Sequence, residues 1–181
     1  MKRIILLVAI ALLNTLGHAQ VKTPIKIYCD KKQSTISYSM NHPLHSWTGV
    51  SKDITSVILT DENRTEISQV AVSVKISSFD TQNANRDSHT MEATEALKYP
   101  AISFLSNSIK QTGNKLKVSG TLSFHGVSRD ITFEAEKNIV NNIAEIKGSF
   151  IIKMTQYNID PPSLMGIASD DNIKIDFYVI Y

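Results

Sequence analysis

Between residues 115 and 135, apolar and polar side chains alternate almost without fault. Leu116, Val118, Leu122 and Phe124 stand on even places with Gly120 among them, and Lys117, Ser119, Thr121 and Ser123 fall between. A period of two puts one row of side chains on each face of a β-strand. His125-Gly126-Val127-Ser128 then makes a short connection whose glycine is free to take a positive φ. The alternation resumes with Ile131, Phe133 and Ala135 against Asp130, Thr132, Glu134 and Glu136. The stretch reads as an antiparallel hairpin with one apolar and one wet face, and the functional question is what the apolar face looks at.

The same period recurs along the chain. Ile25, Ile27 and Cys29 alternate as a short first strand, and Ile36, Tyr38 and Met40 share a face of a second, which Asn41-His42-Pro43 ends. Residues 45–60 read as one long strand with poor alternation, bent or bulged at Gly49. Val70, Val72, Val74 and Ile76 form the cleanest run of all. Residues 102–106 resume β structure after an interruption, and Thr112-Gly113-Asn114 turns into the central hairpin. A further strand starts at Asn141-Asn142, with Ala144, Ile146, Gly148, Phe150, Ile152 and Met154 on one face. Residues 158–166 are irregular, and a last strand carries Ile173, Ile175, Phe177, Val179 and Tyr181 on one side.

The interruption lies between Phe79 and Pro100. Its composition over residues 88–98 predicts a helix, with Asp87 or Ser88 as N-cap and Pro100 as the stop. About eight or nine strands in hairpin order, each with one apolar row, bury those rows by closing into a barrel or by stacking into a sandwich. Periodicity does not choose between the two. An eight-stranded barrel has room inside for side chains or one small ligand. There is no internal repeat, low-complexity tract or linker, so the mature chain is read as one domain.

Composition enters through the leader. Lys2 and Arg3 precede the apolar residues 4–13 and then Gly17-His18-Ala19, the pattern of a signal peptide and too short to span a bilayer. Cleavage after Ala19 is expected, leaving residues 20–181 as a periplasmic or secreted protein. The full chain has 19 Lys and Arg against 17 Asp and Glu. Removing Lys2 and Arg3 balances the count, so nothing marks a nucleic-acid binder. Cys29 is the single cysteine and makes no internal disulfide framework.

Catalytic signals are sparse. There is no phosphate loop, no nucleophile elbow and no Cys-His arrangement. His42 and His45 are spaced as half a metal site, but no Cys or carboxylate pair accompanies them, so no metal is expected. The densest polar group is Arg86, Asp87 and His89 at the helix start, a candidate for reading a ligand head group or for pinning the helix to a barrel rim. Together with His125 these residues are also the only acid–base candidates for a lipid-acting enzyme. The same alternation serves an outer-membrane barrel with its apolar rows outward, but six Phe, one Trp and six Tyr are thin for two interfacial girdles.

Two runs carry a resemblance. Asn85-Arg86-Asp87-Ser88-His89 with Leu97-Lys98-Tyr99-Pro100-Ala101-Ile102-Ser103-Phe104, and Gly120-Thr121-Leu122-Ser123-Phe124-His125-Gly126-Val127-Ser128, resemble the two central signatures of the YceI-like family. Ser34-Thr35-Ile36-Ser37-Tyr38, with His42 and Gly49, is similar to its N-terminal pattern. The chain departs from that pattern at Lys153-Met154-Thr155-Gln156-Tyr157-Asn158, and at Glu95-Ala96-Leu97 where the family has an aromatic pair. The resemblance implies an all-β protein: a single antiparallel, eight-stranded, lipocalin-like β-barrel with one short inserted helix around residues 87–98.

It also implies a non-enzymatic lipid-binding domain over residues 20–181, a carrier or sequestering protein. Its tunnel would take a polyisoprenoid, an isoprenoid quinone or a fatty-acid derivative, with no cofactor besides such a lipid. The expected lining is Ile36, Tyr38, Val70, Val72, Val74, Ile76, Leu116, Val118, Leu122, Phe124, Ile131, Phe133, Ile146, Phe150, Ile152, Ile173, Ile175 and Phe177, with Arg86, Asp87, His89 and His125 at the rim. No nucleic acid or stable membrane insertion is expected, and a homodimer is left open.

Overall fold

The computed structural model describes residues 23–181, so the leader expected over residues 1–19 lies outside the described part. The elements in chain order are β1 (Ile25–Tyr28), β2 (Thr35–His42), β3 (His45–Ser51), β4 (Ile54–Thr60), β5 (Ile67–Lys75) and α1 (Ala84–Ala93). They are followed by β6 (Ala101–Thr112), β7 (Lys115–Phe124), β8 (Val127–Val140), β9 (Ile143–Lys153), β10 (Ser163–Leu164), β11 (Ile167–Ala168) and β12 (Asn172–Ile180). Ten strands form one antiparallel sheet in the order β1-β4-β5-β6-β7-β8-β9-β12-β2-β3, and β10 and β11 make a separate small hairpin.

The all-β expectation with one short helix holds, but the count is ten strands in the sheet rather than eight. The run over residues 45–60 is two strands, not one. It breaks where the Ser51 hydroxyl accepts from the Asp53 backbone N–H at 3.1 Å. β3 lies at one end of the strand order and β4 one place from the other end, with only Lys52 and Asp53 between them. Two residues reach from one margin of a sheet to the other only when the sheet is rolled round on itself. That short connection is why the apolar rows face a common interior.

The roll is a half-barrel. At the seam, Val50 and Asp80 exchange backbone hydrogen bonds of 2.9 and 3.0 Å, and the Ser51 and Ser78 hydroxyls meet at 2.7 Å. The edge of β3 is thus covered by the segment leading to α1 instead of by a neighbouring strand. β8 and β9 share a ladder only from Ala135↔Gly148 to Val140↔Ile143. Beyond it, β8 pairs with β7 and β9 with β12 while the two diverge from each other.

The central hairpin follows the sequence closely. His125 and Gly126 both take positive φ, 50° and 73°, the two-residue turn that suits the twist of paired strands. Asn141 and Asn142, at 50° and 60°, make the next hairpin turn instead of starting a strand. Gly120 has a separate reason to be glycine. A Cβ there would lie 2.3 Å from the Leu105 carbonyl oxygen and 2.6 Å from the Phe104 ring. The register of β6 against β7 slips between Ser106 and Ser108 beside it, and Phe104 fills the space.

One end of the roll is plugged by polar groups. Ser56 and Tyr181 are buried and hydrogen-bond through their hydroxyls, and the Ser56 hydroxyl also lies 3.2 Å from the Ala71 carbonyl. Lys137 continues the inward row of Phe133 and Ala135 and is buried. Its ammonium donates to the Thr65 carbonyl and, at 2.9 Å, to the Gln111 side-chain oxygen. Burial pushes the Lys137 ammonium below the ordinary lysine range.

Burial also raises the phenols of Tyr181, Tyr38 and Tyr157 above the ordinary tyrosine value, most of all Tyr181. A raised folded-state value means the stability it reflects is full below about pH 10, the unfolded value, and is lost as pH rises through the folded value. The wild-type chain is therefore expected to lose stability steeply above about pH 10. Tyr181→Phe should be about 1 kcal/mol less stable at pH 7, from the lost Ser56 bond, with a shallower alkaline decline. Urea titrations at pH 7 and at successive alkaline values read both changes, and equal alkaline slopes would contradict the assignment.

Candidate functional site

Inside the roll lies an apolar cavity of about 460 Å³, within the range of small-molecule sites. Burial along its wall distinguishes it from a packed core. Toward the plugged end and along β4, Leu116, Val118, Ile54 and Ile58 are at most 3 % exposed. Midway along, the inward residues Ile36, Val70, Val72, Ile102, Phe133, Phe150, Ile175 and Phe177 are only half-buried although they line the interior. Side chains that face inward and still touch solvent-sized space mark an unfilled volume, whereas protein interiors are normally close-packed. On one side the wall is aromatic. Phe133 stacks on Phe150 with centroids 4.8 Å apart, and Phe177 and Phe104 lie 5.7 and 5.4 Å from Phe133.

Of the expected lining residues, Ile36, Tyr38, Val70, Val72, Val74, Ile76, Leu116, Val118, Leu122, Phe124, Phe133, Ile146, Phe150, Ile152, Ile173, Ile175 and Phe177 all bound this cavity. Ile131 does not. It sits across from Gly120 and packs against the core, while Phe104, lying over Gly120, and Phe133 supply the wall at that level. The sequence reading missed Ile54, Ile58, Phe104 and Trp47. On β4 the inward row is Ile54, Ser56, Ile58 and Thr60, and its two buried hydroxyls blur the alternation. On β6 the register slip moves the inward set from Ile102 and Phe104 to Ile109.

The mouth is built by α1, by the turn between β2 and β3, and by the β10–β11 hairpin. α1 starts at Ala84 with Asn83 as its cap, the side-chain oxygen accepting from the Arg86 N–H at 3.1 Å, so the expected cap at Asp87 or Ser88 is corrected. It ends at Ala93 rather than near 98. Glu95 turns left-handed at φ 45°, its N–H donates to the Glu92 carbonyl at 3.0 Å, and the Ala96 N–H donates to that of Met91 at 2.8 Å. This is a helix stop of the kind glycine usually makes, which is why helix-forming composition hid it. The early start turns Arg86, His89, Thr90 and Ala93 toward the cavity. Tyr38 reaches up to hydrogen-bond Thr90 at 3.2 Å, tying helix to wall.

The four expected rim residues divide. Arg86 and His89 stand at the mouth, with the Arg86 guanidinium 5.7 Å from the Trp47 ring centroid, in cation–π range. Asp87 is turned away and holds a loop, its Oδ1 accepting from the Thr81 N–H at 3.1 Å and the Thr81 hydroxyl at 2.6 Å. His125 is also off the cavity. Its Nδ1 lies 2.9 Å from the Tyr157 carbonyl, and its ring packs edge-on against Tyr99 with centroids 5.0 Å apart, so it fastens the β7–β8 turn to the segment that follows β9.

His42 and His45, ring centroids 5.3 Å apart, join Trp47 at the mouth. The Leu44 N–H donates to His42 Nδ1 at 3.1 Å, so Nε2 carries the proton and donates to the Ile167 carbonyl at 2.9 Å. His42 thereby clamps the two turns flanking the opening. Among the described residues, none lining the cavity is an Asp or a Glu. Arg86, His42, His45 and His89 stand together at the mouth, and the wall below them is mostly hydrocarbon.

A family model described as the YceI-like domain matches residues 28–181. This chain belongs to the YceI-like family. Protein YceI of Salmonella newport (strain SL254) is 32 % identical over 129 residues, covering 70 % of this chain and 67 % of that protein. Among solved structures, the YceI-like fold here is similar to Burkholderia cenocepacia BcnA, with TM-score 0.76 at 19 % identity over 84 % of this chain and 99 % of BcnA. A Campylobacter jejuni YceI protein gives TM-score 0.63 at 26 % identity over 74 % of this chain and 82 % of that one. A polyisoprenoid binding domain from Saccharophagus degradans gives 0.68 at 14 % identity over 85 % and 96 %.

Proposed function

We propose that the protein is an exported carrier or sequestering protein for one long-chain amphiphile, a polyisoprenoid, an isoprenoid quinone or a fatty-acid derivative. The tail occupies the cavity and the head stays at Arg86 and His89. The observation that carries this reading is the half-buried inward wall around an unfilled apolar cavity, with Arg86 and three histidines at its mouth. Each methylene taken from water into such a wall gains about 0.8 kcal/mol, so ten give roughly 8 kcal/mol before the costs of ordering. No polar contact is required along the tail. Export rests on the leader-like residues 1–19, and a binding rather than catalytic role is supported by Asp87 and the His125 Nδ1 being committed to Thr81 and Tyr157 away from the cavity.

Trp47 is the single tryptophan and lies at the mouth, so it reports on occupancy. Titrating delipidated protein with geranylgeraniol, a C16 fatty acid and a short-chain quinone should change Trp47 emission saturably at micromolar levels for at least one of them. No response to any would overturn the carrier reading. Arg86→Ala should leave the melting temperature within about 2 °C, because the guanidinium packs on Trp47 without a buried partner. It should weaken an acid-headed probe about tenfold while leaving a neutral-headed one unchanged. Equal loss for both probes, or a lowered melting temperature alone, assigns Arg86 to the scaffold.

A further inference from the structure

Two of the three segments that build the cavity mouth have a composition unlike the rest of the surface. One lip is the β2–β3 turn, Asn41-His42-Pro43-Leu44-His45-Ser46-Trp47, and the other is the β10–β11 hairpin with its lead-in, Pro161-Pro162-Ser163-Leu164-Met165-Gly166-Ile167-Ala168. Neither contains Asp, Glu, Lys or Arg, in a chain that is 20 % charged. Leu44 is 60 % exposed and Met165 87 %, and Leu164 and Ile167 are each exposed by more than two-fifths. Leu164 lines the cavity at the same time, so apolar surface runs without a break from the cavity wall to the outside.

The hairpin is short and tightly turned. Met165 and Gly166 take φ of 54° and 77°, the tight turn that points its tip outward, and its strands register Ser163↔Ala168 and Leu164↔Ile167. His42 bonds the hairpin to the opposite lip through Ile167. Elsewhere the large exposed apolar side chains, such as Leu97 and Ile151, stand away from any cavity.

We propose that this lip docks on a lipid bilayer surface, with Leu44, Leu164 and Met165 entering the headgroup boundary and Trp47 lying at the interface. The tail of the cargo then passes between membrane and cavity without crossing water. The occupant is a bilayer rather than a charged protein because the two turns themselves carry no Asp, Glu, Lys or Arg, while apolar tips beside an amphipathic indole are what an interface accepts. A second copy is the poorer fit, since two narrow protruding turns present little flat area for an isologous contact. The passage of cargo rests on the carrier reading, but the docking does not.

The test is flotation of the full mature chain with vesicles of phosphatidylcholine, and of phosphatidylcholine with one-fifth phosphatidylglycerol. It is read beside the paired variant Leu44→Ser/Met165→Ser, whose changes lie outside the cavity wall. Wild type should float with both vesicles and shift its Trp47 emission to the blue. The variant should lose at least tenfold in partitioning while taking up soluble C16 fatty acid as wild type does. Absence of wild-type flotation, or equal flotation of both proteins, overturns the proposal. So does a wild-type dimer in solution that the paired variant dissociates and vesicles do not. Flotation that depends on the lip in a protein that takes up no probe sustains the docking and overturns the carrier reading instead.

Discussion

Val74→Asp is expected to melt about 10 °C or more below wild type and to take up no long-chain probe. Val74 is 4 % exposed, pairs with Ile54 and Ile102 across β4 and β6, and faces the cavity. A carboxylate there has no cation or donor among its neighbours in these ladders. A buried charge without a partner costs about 3–5 kcal/mol, a large part of the roughly 5–15 kcal/mol that holds a domain together. Protonation relieves some of this, so the loss should be smaller at pH 4 than at pH 7. Thermal melts at the two values, with Val74→Ala as the uncharged control, read the difference. Phe124→Asp, at 4 % exposure beside Tyr157, should behave alike. A Val74→Asp protein as stable as wild type would mean that this face does not look inward.

Val72→Trp is expected to keep the fold and lose the ligand. Val72 shares the inward row of β5 but is only half-buried, because the volume beside it is unfilled. A larger side chain in a packed core costs about 1–3 kcal/mol through strain, but here the indole has space to enter. Its bulk takes up much of the width a tail would use. Probe affinity should fall at least tenfold, with a melting temperature within about 4 °C of wild type. If instead the melting temperature falls as far as in Val74→Asp, the region is a packed core and the cavity reading fails.

How much was legible depended on whether the local pattern was complete in itself. The hairpin over residues 115–135 was readable because every inward place from Leu116 to Phe124 is apolar or, at Gly120, forced by a neighbour. β9 and β12 were readable for the same reason. β4 was obscured by two buried hydroxyls, Ser56, whose partner Tyr181 lies far off in the chain, and Thr60. Lys137 was invisible too, since its carbonyl acceptors come from the loop after β4 and cannot be counted locally. The helix was placed late because its stop uses Glu95 where glycine is usual and its cap is Asn83, upstream of the polar trio.

Of the rim group, Arg86 and His89 lie at the opening, whereas Asp87 bonds Thr81 and the His125 Nδ1 meets the Tyr157 carbonyl. Whether a polar side chain near a helix start reads a ligand or pins a loop depends on which way one turn of helix faces. A one-residue error in the cap rotates that answer by about 100°. The mouth itself, with His42 clamping Ile167, joins residues 125 apart and had no local signal beyond two histidines around a proline.

The inward face of residues 115–135 is thus a cavity wall in its middle and a sealed floor toward Leu116. The most direct test is to purify the wild-type and Val72→Trp proteins side by side, extract both with organic solvent and identify the extracts by mass spectrometry. A cavity that carries a long-chain amphiphile predicts one isoprenoid, quinone or acyl compound near one equivalent per wild-type chain, and at least tenfold less from Val72→Trp. Equal amounts from both proteins, or no apolar compound from wild type together with no uptake of any probe, would contradict it.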